Sequence, residues 1–152
     1  MPNPVFLTYD SANGNVYAAN HDTQLISVID TSTNSVINTI TVGSDPSGVG
    51  YDPDNGDIYV GVHGENYVSV INGSDNQVIG TINVGSGPVT PVYDPVHHNV
   101  YATNYAIRLN MLYRVAFRKI SFTILGNFLA VTCSPNILLI DEKAVSAIHL
   151  CP

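Results

Sequence analysis

The sequence predicts an all-β chain built as an incomplete β-propeller of about two and a half four-stranded antiparallel blades, and three observations carry that prediction. Residues 9–50 and 51–92 align without a gap, with 19 of 42 positions identical. Each period holds four short runs rich in β-branched and aromatic residues, closed by turns of Gly, Pro, Asn and Asp. No ten-residue stretch in 1–105 combines a 3.6-residue apolar period with helix caps. Four strands joined by tight turns form an antiparallel meander, and meanders repeating at roughly 40 residues read as blades that bury their apolar faces against neighbours. A β-sandwich also has closely spaced short strands, but it needs no identity between successive groups of four.

The elements follow in order. Pro4-Val5 through Tyr9-Asp10 has the spacing of Pro46 through Tyr51-Asp52, so the first unit spans about 4–45 and the chain is expected to begin inside an array, without a secretory signal. In the second unit, 46–87, strands are expected at Ser47–Tyr51, Ile58–His63, Tyr67–Asn72 and Gln77–Val84. The turn from Asp52 to Asp57 combines Pro53, which presets φ, with Asn55-Gly56, which tolerates positive φ. A third unit opens at Pro88 and keeps Tyr93-Asp94-Pro95, with His97-His98 read as replacing Asp54-Asn55 in the hairpin turn. It stops near 106, which sets a repeat domain of 1–106 and a tail of 107–152.

Tyr17-Ala18-Ala19-Asn20, Tyr59-Val60-Gly61-Val62 and Tyr101-Ala102-Thr103-Asn104 resemble the signature strand of the YVTN-family β-propeller repeat. Val28-Ile29-Asp30 and Val70-Ile71-Asn72, then Thr39-Ile40 to Gly43 and Thr81-Ile82 to Gly85, resemble the segments that follow it. The resemblance covers residues 4 to about 105, with Val62 in place of the signature Asn and Asn72 in place of the Asp. It implies a secreted or surface-layer parent, extracellular or at the cell surface, that serves as a non-enzymatic scaffold or binding module.

Composition narrows the partners. The formal charge is −7, and residues 1–107 carry ten acidic side chains and no Lys or Arg. Nucleic acids and anionic membranes need clustered cations to displace counterions, so a protein or cell-envelope component is the expected partner. All five basic residues and both cysteines, Cys133 and Cys151, lie after Ile107, and they show neither a disulfide framework nor metal spacing. Self-association through open sheet edges is a further expectation.

Three readings of the tail stand together. It is foreign sequence from a frameshift or rearrangement, which explains the change in charge, Gly and Cys usage. Or it is a divergent blade, in which 127–131, 137–141 and 145–149 follow the strand spacing of the first unit. Or Ile120 to Ile140, 21 residues without a charge, spans a membrane, a reading weakened by Asn127, Pro135 and Asn136.

Candidate site residues are few. His21 and His63 share one repeat position, with Tyr105 there in the third copy. They would sit on adjacent blades near one face, as ligand-binding candidates or as solvated loop histidines, and two ligands are too few for a zinc site. His63-Gly64-Glu65 adds Glu65, the nearest approach to a polar break in the repeat. The turn aspartates have a calcium-loop flavour, but the first copy keeps only Asp10 of three carboxylates, and turn chemistry explains them. The recurring Tyr9, Tyr51 and Tyr93, and Tyr17, Tyr59 and Tyr101, fit aromatic packing between sheets with each hydroxyl reaching a rim partner. Asn72-Gly73-Ser74 is a glycosylation sequon on a turn. No phosphate loop, catalytic triad or cofactor motif is present, so no cofactor and no catalytic residue are expected. The alternative functions are a fragment of a propeller enzyme of the lactonase or redox class, and a truncated or frameshifted product with no independent function.

Overall fold

The structure, a computed structural model, describes residues 3–105 and the backbone strands 112–115, 121–125 and 128–132. The first blade is a sheet of β1 (Asn3–Asp10), β2 (Asn15–His21), β3 (Leu25–Asp30) and β4 (Ser35–Thr41), in that order. The second repeats it with β5 (Pro46–Asp52), β6 (Asp57–Val62), β7 (Tyr67–Asn72) and β8 (Gln77–Asn83). All pairings are antiparallel, and both sheets carry a register shift in the same place, between Val28 and Ile29 and between Val70 and Ile71. The strands expected from sequence match these to within a residue or so at each end.

Alternation explains why neighbouring blades are needed. In β6 every residue is buried, because Ile58, Val60 and Val62 pack toward the first blade while Tyr59 packs toward the third. One cluster joins Tyr17, Ile26, Val28 and Ile40 to Val49, Ile58, Val60 and Ile71; the next joins Tyr59, Val68, Val70 and Ile82 to Val100 and Ala102. The second is the first moved along by one repeat. Outer strands β4 and β8 stay largely exposed, as edge strands do.

The innermost strands, β1, β5 and β9 (Pro88–Asp94), pack side by side. Gly48 and Gly50 allow it. A Cβ on Gly48 would strike the Val89 carbonyl oxygen and sit 2.6 Å from the Thr90 Cα, so only glycine permits this approach.

The third sheet runs β11-β10-β9, with β10 (Asn99–Asn104) in the middle and β11 (Leu112–Val115) beyond it. Although the repeat signature is lost after Tyr105, a strand still fills the third position. By repeat spacing, Ile58 with its partner Ile71 predicts that Val100 pairs with Tyr113; Val100 pairs with Val115 instead. The displacement is two residues, an even register. The hairpin turn also corrects the sequence reading. Asp94 pairs with Asn99 as Asp52 pairs with Asp57, so His97 stands where Asn55 does and His98 where Gly56 does. His98 accordingly takes the positive φ of those glycines, 55° against 77° at Gly14 and 76° at Gly56.

In the tail, β12 (Ser121–Leu125) and β13 (Phe128–Thr132) pair antiparallel as a separate two-stranded sheet. β13 overlaps the strand read at 127–131, β12 was not anticipated, and both fall within the segment weighed as a membrane span. Among the described residues no helix is long and apolar enough to cross a membrane. The strands read at 137–141 and 145–149 lie outside the described residues.

Candidate functional site

Each blade has two ends with different chemistry. The hairpin end holds the β1–β2 and β3–β4 turns; the linker end holds the β2–β3 turn and the connection to the next blade.

At the hairpin end, carboxylates and amides are used up by the turns. The Asp10, Asp52, Asp30 and Asn72 side chains each accept the backbone N–H two residues on, at 2.7–2.9 Å. These are Asx turns, which accounts for the calcium-loop flavour of the sequence. The Tyr17 hydroxyl donates to Asn76 Oδ1 at 2.8 Å, and Asn13 Nδ2 donates to the Gly73 carbonyl at 2.8 Å, locking blade to blade. Burial raises the pKa of both Tyr17 and Tyr59 above the ordinary phenol value, so both stay protonated. Core packing with a rim hydrogen bond is thus the role of this tyrosine position. In the other tyrosine set, Tyr51 is half-buried against the first cluster while Tyr9 is 53% exposed. Asn72, the sequon residue, closes β7 with its oxygen held by both the N–H and the hydroxyl of Ser74.

At the linker end, the repeat brings three rings into a row. His21 and His63 have centroids 6.2 Å apart, and His63 and Tyr105 follow at 5.6 Å. One backbone arrangement places them. The His63 N–H donates to the Asp45 carbonyl at 3.0 Å, and one repeat later the Tyr105 N–H donates to the Gly87 carbonyl at 2.8 Å. A Cβ at Gly87 would meet the His63 ring at 3.4 Å, an ordinary van der Waals contact, and it is the residue's φ of 65° that favours glycine there. Glu65, by contrast, stands exposed in the β6–β7 turn and takes no part in a metal-competent cluster with the histidines.

Two residues that sequence reasoning passed over complete the site. Asp22 and Asp45 flank His21, and one donor atom from each of the three lies within 4.8 Å of the others. His21 Nδ1 is 3.0 Å from Asp22 Oδ1. Asn3 Nδ2 also donates to Asp22, at 3.2 Å. The hydrogen bonds from His21 first and Asn3 second hold the Asp22 carboxyl below the usual carboxylate range. Asp45 is half-buried; its N–H donates to the Thr23 carbonyl at 3.0 Å, while its carboxylate accepts no hydrogen bond among the described residues. A signal for both was present in the repeat: they occupy the positions of Gly64 and Gly87.

No family model matches this chain, and no curated protein matches it in sequence. Solved structures do. The hydrazine synthase of Kuenenia stuttgartiensis superposes with a TM-score of 0.71 at 22% identity, covering 76% of this chain and 33% of that one. The β-propeller domain of Myceliophteria thermophila Cps50 (Swd1) gives 0.59 at 11% identity, over 76% of this chain and 39% of that one. The RRP9 WD40 repeats give 0.60 at 12% identity, over 68% and 33%. The chain spans between a third and two fifths of these structures, and at such identities the likeness shows the fold: a section of a β-propeller.

Proposed function

We propose that this chain is a section of a YVTN-type surface or secreted propeller, non-enzymatic, that binds a protein or cell-envelope partner through its linker end. The observation that carries this reading is the row His21, His63 and Tyr105, three rings from three successive blades at spacings of 6.2 and 5.6 Å. Stiff, amphipathic rings on a rigid scaffold supply contact area at small entropic cost, which is what a binding face requires. Tyr105, 78% exposed, is the most accessible of them. The hairpin end offers less, because its polar groups already serve its own turns. The acidic surface of 1–105 favours a neutral or cationic partner face.

The test is cross-linking of the purified chain to envelope fractions, followed by identification of the captured component. Capture of one defined surface component that is lost in His63→Ala/Tyr105→Ala supports the proposal. Equal capture by the variant, or turnover of a lactone or quinone substrate, overturns it.

A further inference from the structure

His21, Asp22 and Asp45 form a three-donor set from which the rest of the fold takes one contact, the hydrogen bond from Asn3 Nδ2 to Asp22 Oδ2. We infer that these three side chains bind a divalent transition-metal ion, with zinc, cobalt and nickel as the class, at the seam between the first and second blades. The inference does not depend on the partner proposed above.

The donor chemistry selects the class. One imidazole nitrogen with two carboxylate oxygens suits borderline divalent ions better than calcium or magnesium, which take oxygen ligands only. Metal bonds of about 2.0–2.2 Å at angles near 90–110° put neighbouring donors roughly 3.0–3.5 Å apart. His21 Nδ1 and Asp22 Oδ1 are already 3.0 Å apart. Their side chains are 34% and 66% exposed, so rotation can bring the third donor in from the 4.8 Å limit. Three protein ligands leave open positions for water or a partner's group.

Comparison between blades gives an independent reason. Asp22 and Asp45 have φ of 62° and 53°, a region where glycine is favoured; the second blade has glycine at both places, and of these Gly87 shares the positive φ while Gly64 does not. The first blade therefore departs from its own repeat at two positions, and both departures place a carboxylate beside the same imidazole. A Cβ at Gly64 would meet the Ser44 Cβ and carbonyl oxygen at 2.8 Å and Asp45 Oδ2 at 3.1 Å, so the Asp45 carboxylate lies directly beside this glycine. Residues 1–107 supply no Lys or Arg to balance the pair. A half-buried carboxylate without donor or counter-ion costs free energy that a bound dication removes.

The test is calorimetric titration of the full chain with Zn²⁺, alongside the visible spectrum of the Co²⁺ form. Asp22→Gly/Asp45→Gly installs the residues the second blade already has, at φ values glycine accepts, so folding should persist and circular dichroism checks it. The expected result is one equivalent bound by the wild-type chain, a nitrogen–oxygen Co²⁺ spectrum without thiolate bands, and an affinity loss of at least about 10-fold in both His21→Ala and the glycine variant. Unchanged affinity in a folded glycine variant, thiolate bands reporting Cys133 or Cys151, or no stoichiometric binding would each overturn the assignment.

Discussion

The Tyr17 hydroxyl donates across the first seam to the Asn76 side chain at 2.8 Å, joining residues 59 apart in sequence. It also lies 3.3 Å from the Gly73 carbonyl, which Asn13 reaches as well. Tyr17→Phe keeps the ring and removes the donor. It should lower stability by about 1–2 kcal/mol, the range for leaving buried polar partners unsatisfied, as read by chemical denaturation. An unchanged midpoint would mean the seam is held by packing alone.

Gly48 and Gly80 test where the propeller is tightly packed. Gly48→Ala drives a methyl into the Val89 backbone of the third blade, while Gly80 has nothing within 4 Å of its Cβ position. The first substitution should destabilise by about 1–3 kcal/mol or more through overpacking. Gly80→Ala should be neutral to stabilising by up to about 1 kcal/mol through the unfolded chain. Thermal melts of the two variants give the comparison directly.

His98 carries strain that its counterparts avoid. It holds φ 55° where the earlier repeats use glycine, in return for a 2.5 Å contact with Asp54 on the neighbouring blade. Backbone strain of about 1–2 kcal/mol exceeds an exposed pair worth about 0–1 kcal/mol. His98→Gly is therefore expected to raise the melting temperature, most clearly at high salt, where the pair is screened.

Asp94 should titrate below the ordinary carboxylate value, because His97 first, and the Val96 N–H second, hydrogen-bond its charged form. A folded-state pKa below the unfolded one contributes stability that is present above the unfolded value and lost as pH falls through the folded one. Asp94→Asn should be less stable than wild type at neutral pH, and the gap should close in acid. Side-chain carbon shifts followed by NMR check the titration itself.

Exposed apolar side chains on the first blade's innermost strand predict association. Phe6 and Leu7 are 46% and 67% exposed, whereas their repeat counterparts Gly48 and Val49 lie under the third blade or within the core. Concentration-dependent association is expected in sedimentation, and Phe6→Ser/Leu7→Ser should reduce it. A wild-type chain that stays monomeric at high concentration would count against it.

Strand order, turn chemistry and the burial of Tyr17 and Tyr59 were legible from the repeat because alternation and turn residues are local signals. The site was half legible. His21 and His63 stood out as a shared position, but Asp22 and Asp45 are 23 residues apart and looked like turn residues. Only their replacement of Gly64 and Gly87 distinguished them. The third strand of the third blade was missed because pairing needs backbone and an even register, neither of which leaves a signature in residues 112–115.

What the sequence determined by itself was the unit: four strands, their turns and their 42-residue period, since each depends on residues close along the chain. What tertiary structure decided was everything between units. Docking of β5 on β1 and β9 chose which faces are buried, brought His21, His63 and Tyr105 into one row, and set Asp45 beside His21 and Asp22. The physical reason is that a blade's apolar faces, and the groups at its ends, acquire partners only when the next blade is in place.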